Sequence, residues 1–337
     1  MIIRTAVIGL GSMGVNHARI YSELNESQLV GVCDSNPELV AEVAKRYNVE
    51  AFIDYQHMLA ALRPEAVSIA VPTALHGSVA RDCIEAGTHV LIEKPIAATV
   101  AEGKQTILLA QERQRKLMVG HVVRFNPAIQ QLKNRLKNGD LGRIYQIVCR
   151  RVGPFPARIR DVGVVIDLAT HDLDLMRYLT DTEPIRIFAE TEQRIHTDFE
   201  DLLLALLRFP GGLSGALEIN WLTPSKVREV FVLGERGMFR VDDLTQDLFF
   251  YENASIVEPF WPALQTLRGV SEGPMIRYTV QRHEPLKAEL LGFLHSIQED
   301  KPVPVSGEDG LKALRLAVAL VESGTSHRVI QLTNDDI

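Results

Sequence analysis

The sequence predicts an α/β protein in two parts. Residues 1–120 read as a doubly wound parallel sheet, and residues 121–337 as an α+β domain with a mostly antiparallel, open-faced sheet. Three observations predict this. A strand-like run over residues 2–8 leads into Gly9, Gly11 and Gly14, after which Ala18, Ile20, Tyr21 and Leu24 fall at roughly helical spacing. Strand-like and helix-like segments then alternate in short repeats. Beyond Gly120 the rhythm changes to runs of period-2 character broken by Gly- and Pro-rich turns.

The first turn carries chemistry. Gly9 permits a tight turn, Gly11 leaves room for a pyrophosphate against the backbone, and Gly14 lets helix and strand pack closely. Ser12 and Met13 lie between them, where the helix N-terminus offers free N–H groups to phosphate. A second strand, 29–33, ends in Asp34, twenty residues past Gly14. A carboxylate there accepts hydrogen bonds from ribose hydroxyls and repels a 2′-phosphate. Ser35, Asn36 and Pro37 supply no offsetting cation, so the expected cofactor is NAD rather than NADP. Asn36 is the expected cap of the helix that starts at Pro37.

Further strands are expected at 51–53, 66–71, 89–92 and 117–119, with helices at 37–47, 57–62, 76–86 and 99–115 between them. Ligands of such a sheet gather at the carboxyl ends of its strands. Pro72, Thr73 and His76 follow one such end, and Glu93-Lys94-Pro95 another. Lys94 therefore points toward the crevice where a nicotinamide would lie.

In the second part, helices are expected at 127–137 and 164–179, and two more at 286–299 and 307–323. Strands are expected at 143–151, 185–191, 202–209, 213–221, 229–233, 238–241 and 248–251. Asp167 and His171 stand four residues apart on the second of these helices, on one face, and so reach one pocket or each other. Oxidising an alcohol needs a group to take the hydroxyl proton, and histidine suits that task. The expected roles are His171 as base, Lys94 polarising the substrate oxygen, and Asp167 orienting the substrate or the histidine. Asp167, His171 and Asp174 are a poor set for zinc without cysteine ligands, so no metal is expected. Arg150, Arg151, Arg158 and Arg160 form a local basic cluster suited to phosphate, and Arg124 is a further substrate contact.

Together these residues resemble the glucose–fructose oxidoreductase and inositol dehydrogenase family (Gfo/Idh/MocA). The likeness covers nearly the whole chain, through the glycine turn, Pro72-Thr73, Glu93-Lys94-Pro95 and the Asp167…His171 pair. It implies catalytic roles for Lys94, Asp167 and His171. Ala169 stands where members often have glycine. Within the family, the stretches 153–158 and 163–172 look most like UDP-N-acetylglucosamine 3-dehydrogenases. That likeness implies oxidation of a sugar 3-hydroxyl, with the arginines on the UDP diphosphate. It also implies a homodimer or homotetramer formed through the open sheet face. A free polyol such as myo-inositol is the alternative substrate, and a non-catalytic NAD-binding regulator the alternative class.

Composition agrees with this reading. The 337 residues are 46% hydrophobic and 23% charged, which suits a globular protein of two ordinary domains. A net charge of −7 gives no global support for nucleic-acid binding. No apolar run is long enough to span a bilayer, and the chain enters its first strand at once, which speaks against a signal peptide. Cys33, Cys83 and Cys149 are widely spaced, as expected of buried thiols in the cytoplasm.

Overall fold

The structure is a computed structural model that describes residues 1–156, 162–196, 198–254 and 271–333. The first part alternates as the sequence predicts: β1 (Ile3–Ile8), α1 (Ser12–Glu23), β2 (Ser27–Cys33), α2 (Pro37–Tyr47), β3 (Glu50–Phe52), α3 (Tyr55–Leu62), β4 (Ala66–Ile69), α4 (His76–Glu85), β5 (His89–Glu93), α5 (Val100–Glu112) and β6 (Leu117–Gly120). The strands are parallel and run in the order β3-β2-β1-β4-β5-β6. The order reverses between β1 and β4, which opens a crevice at their carboxyl ends. Asn36 caps α2 through Glu38 N and Leu39 N, and Thr99 with Glu102 forms a capping box on α5.

The second part runs α6 (Pro127–Lys137), β7 (Ile144–Pro154), α7 (Thr170–Thr180), β8 (Arg186–Glu192), β9 (Leu202–Arg208), β10 (Ser214–Asn220), β11 (Leu222–Gly234), β12 (Gly237–Asp242), β13 (Asp247–Ala254), β14 (Ser271–Tyr278), α8 (Pro285–Gln298), α9 (Gly307–Ser326) and β15 (Ile330–Gln331). Among the described residues its strands order as β14-β13-β12-β11-β7-β10-β9-β8-β15. Only the β10–β7 pairing is parallel. One face packs on α6, α7 and α9, while Leu204 and Leu206 of β9 stay exposed on the other.

Several elements differ from the sequence expectation, among them β14 and β15, for which no strand is expected. β11 begins at Leu222, seven residues earlier than its apolar run, because pairing with β7 extends the ladder through polar positions. The expected helix 164–179 opens with a π turn, Val165–Ala169, before α7. The closing helices do not serve the second sheet alone. Leu286, Leu290, Phe293 and Leu294 of α8 join the core of the first part. α9 bridges the two cores, with Leu311 and Leu314 in the first and Leu316, Ala317 and Leu320 in the second. A hydrophobic stripe read from sequence shows that a face is buried, not which sheet buries it.

Candidate active site

The carboxyl ends of β1, β2, β4 and β5 and the π turn of the second part enclose a cleft of about 1220 Å³. That exceeds the usual size of a single small-molecule pocket and suits a dinucleotide with a second ligand beside it.

The glycine turn has the shape the sequence implies. Gly9 has φ +86°, and a side chain there would press on the backbone oxygen of Ala70. A Cβ on Gly14 would run into the backbone of Gly9, so Gly14 packs the turn and does not line the cleft. A Cβ on Gly11 would meet nothing within 4 Å, which leaves the approach to the cleft open there. Ser12 and Met13 line the cleft at the start of α1. These features fit a pyrophosphate.

Asp34 lines the same cleft, and its carboxylate ties the turn together. Oδ2 accepts from Leu10 N at 2.7 Å and Oδ1 from Asn36 N at 2.9 Å. A carboxylate has about four acceptor positions, so two stay open to ribose hydroxyls. Around it the cleft is lined by Ser35, Ile53, Asp54, Tyr55 and Gln56, with no cation among them.

At the other end of the cleft lie Pro72, Thr73, His76, Glu93 and Lys94. The His76 ring is used internally, with Nδ1 at 2.6 Å from Pro95 O and Nε2 at 2.9 Å from Val71 O, so it joins two cleft loops. Glu93 is buried, with Oε1 at 2.9 Å from His17 Nε2. Burial works to raise its pKa, but the hydrogen bond and charge of His17 outweigh it and hold Glu93 below the usual carboxylate range. The Lys94–Pro95 peptide is cis.

Lys94 Nζ donates to the backbone oxygen of Asp167 at 2.6 Å and to its Oδ1 at 2.7 Å. Asp167 therefore orients Lys94 rather than His171. His171 lines the cleft one helical turn on, with Nδ1 buried and without a hydrogen-bond partner among the described residues. Burial first, then the charge of Lys94 and of Arg151, holds its pKa well below the ordinary 6.5. The imidazole is thus neutral at physiological pH.

The arginines expected to meet substrate divide. Arg158 and Arg160 lie outside the described residues. Arg151 is buried in a bidentate pair with Asp172, Nε–Oδ2 2.7 Å and Nη2–Oδ1 3.0 Å. Arg124 is likewise buried against Asp174, at 2.7 and 2.5 Å, and reaches Asp309 at 3.1 Å. Both are corrections to the expected substrate role: their guanidinium forks are already filled. Instead they clamp α7, and with it His171, to β7 and to the 122–125 turn. Asp174 is spent in the same way. Arg150 pairs across the sheet with Glu218 at 3.0 Å.

Two residues near the site were given no part in it from the sequence, where His121 is set apart from the Asp167, His171 and Asp174 face and Arg228 is not singled out. His121 is buried, neither ring nitrogen makes a hydrogen bond among the described residues, Nδ1 lies 3.9 Å from Asp174 Oδ2, and its ring meets that of His171 edge to face at 6.4 Å. Arg228 on β11 adds its charge to those acting on His171. A lone histidine in an apolar run and a lone arginine in a polar strand carry no pattern that marks them. Among the described residues no cluster of three or more histidine, cysteine, aspartate or glutamate side chains is arranged to hold a metal ion, and no helix is long and apolar enough to cross a membrane. The three cysteines are free and buried, and burial raises each thiol pKa.

Comparison with known proteins agrees with this geometry. Residues 3–121 match the model of an oxidoreductase family with an NAD-binding Rossmann fold, and residues 129–240 match the GFO/IDH/MocA C-terminal domain. The UDP-N-acetylglucosamine 3-dehydrogenase of Acidithiobacillus ferrooxidans is 33% identical over 94% of this chain and 95% of its own. A solved structure of that enzyme superposes with TM-score 0.83, at 31% identity, over 97% of this chain and 99% of its own. The myo-inositol 2-dehydrogenase of Thermotoga maritima is 25% identical over 98% of each chain.

Proposed function

The chain belongs to the Gfo/Idh/MocA family of oxidoreductases, and on that premise we propose that it oxidises the 3-hydroxyl of UDP-N-acetylglucosamine or a related UDP-amino sugar to a ketone. The observation that carries the reading is the meeting of Lys94, Asp167 and His171 at the nicotinamide end of the cleft. The near full-length similarity to a UDP-N-acetylglucosamine 3-dehydrogenase supports the choice of substrate class.

Gly11, Ser12, Met13 and Asp34 would hold NAD, which supplies the hydride acceptor when bound. His171, neutral in this setting, takes the hydroxyl proton. Lys94 donates to the substrate oxygen as negative charge builds there. Asp167 holds the ammonium in place from across the domain boundary. Self-association of two or four copies would bury the exposed Leu204 and Leu206 of the open sheet. We place the reaction in the cytoplasm, where nucleotide sugars are made.

A second reading, oxidation of a free polyol, is favoured by one observation: Arg124 and Arg151 are not free to bind a diphosphate. NADH formation with a panel of UDP-sugars and free polyols separates the two. Turnover of UDP-N-acetylglucosamine well above that of myo-inositol is expected. The reverse order overturns the UDP-sugar reading.

A further inference from the structure

Arg151 and Arg228 stand opposite each other on the neighbouring strands β7 and β11. Cross-strand partners project from the same face of a sheet. Their surroundings differ sharply. Arg151 has its fork filled by Asp172. Arg228 Nη1 is buried and has no hydrogen-bond partner among the described residues. Asp172, Asp243 and Asp167 act on Arg228 through charge alone. Burial, then the repulsion of Arg151, draws its pKa down to about 10. A desolvated guanidinium donor left without an acceptor is costly and uncommon. Such a group is retained where a ligand completes it.

We propose that Arg228 binds the phosphate next to the sugar ring of the substrate. The inference rests on the UDP-sugar reading above and names the residue that recognises the diphosphate. It shares a sheet face with Arg151, whose partner Asp172 follows His171 directly on α7, and its charge acts on both His171 and Asp167. In a nucleotide sugar only C2, C1 and the glycosidic oxygen separate C3 from the nearer phosphorus. A sugar with its 3-hydroxyl at His171 therefore carries its nearer phosphate only a few bonds from that histidine. A guanidinium with free N–H groups matches phosphate oxygens in geometry and charge. Arg228 so takes the part that Arg124 and Arg151 cannot, since both are committed to carboxylates.

The test uses Arg228→Gln and Arg228→Lys in the full chain. For the Gln variant, kcat/KM with UDP-N-acetylglucosamine should fall about 30- to 100-fold, mainly through KM, and inhibition by UDP should weaken in parallel. The Lys variant should keep part of both. NADH affinity should not change. The melting temperature of the ligand-free Gln variant should equal or exceed that of the wild type, because a buried guanidinium donor without an acceptor is removed, while the rise in melting temperature produced by UDP is lost. Unchanged kinetics and UDP binding overturn the inference. A lowered melting temperature with weakened NADH binding also overturns it, since that marks a structural role. Wild-type protein that turns over no UDP-sugar fails the underlying reading instead, before any variant is compared.

Discussion

Lys94 and Asp167 join the two halves of the molecule: one ammonium at the end of β5 donates to both the carbonyl and the carboxylate of a residue in the π turn before α7. The pair is largely shielded from water, so it sets the position of Lys94 against the cleft. Lys94→Met removes the donor to the substrate oxygen. Turnover should fall about 10³-fold, the scale for losing an electrostatic partner of a developing oxyanion. NADH affinity, measured by fluorescence titration, should change little. A variant that keeps kcat within about tenfold of wild type would remove Lys94 from the chemistry.

The pH dependence should report His171. An imidazole acts as a base only when unprotonated, so activity rises through its pKa. Burial and Lys94 hold that pKa well below 6.5, so the acid limb of kcat/KM should lie below the ordinary histidine range. His171→Gln should cost about 10²- to 10⁴-fold in kcat and abolish that limb. A kcat/KM limb at or above 6.5 that vanishes in the Gln variant would show that the surroundings do not hold the imidazole down in the enzyme before substrate binds.

What could be read from the sequence was local. The glycine turn, Asp34 and the Lys94 strand end are each fixed by a strand and the turn that follows it, which periodicity and turn chemistry reveal. The fate of the arginines was not local. Arg124 finds Asp174 fifty positions away and Arg151 finds Asp172 twenty-one away, and a run of cations shows nothing of such partners. The π turn escaped for another reason: one extra residue in a turn barely alters apolar spacing. It matters because it sets where Asp167 lies relative to Lys94. Arg228 stands out only once β11 is paired with β7 and its buried Nη1 is seen to lack an acceptor beside the satisfied Arg151.

That contrast makes a stability prediction. Arg151→Met leaves Asp172 buried without its partner and should lower the unfolding free energy by about 3–5 kcal/mol. The double variant Arg151→Met/Asp172→Leu should recover most of the loss, because neither charge is then stranded. Denaturant titration measures both. A single variant as stable as wild type would show that water reaches Asp172 and that the pair does not clamp α7.

Asp34 should determine cofactor choice. Its two remaining acceptor positions face a part of the cleft that Asp54 also lines and no cation offsets. Wild-type kcat/KM should favour NAD over NADP by about 10²-fold, and Asp34→Ala should lose about tenfold with NAD by removing charged hydrogen bonds to ribose. Steady-state kinetics with both cofactors decides it. A wild-type preference for NADP would show that the carboxylate serves only Leu10 N and Asn36 N.

Glu289 gives the stability a pH dependence of its own. It lies on α8 in the core of the first part, fully buried, and neither carboxylate oxygen has a hydrogen-bond partner. Burial, then the charges of Glu93 and Asp174, pushes its pKa well above 4.5. The folded protein therefore keeps a proton that the unfolded chain releases above its ordinary carboxylate pKa. Folding binds more protons than unfolding in that window, so stability falls as pH rises, by about 1.4 kcal/mol per unit, until the folded-state pKa is passed. Glu289→Gln keeps the shape and cannot ionise. It should melt with wild type near pH 4 and progressively above it as the pH rises, until the folded-state pKa is passed. A Gln variant that melts lower than wild type at pH 8 would show that the carboxylate is ionised and paired in the folded protein.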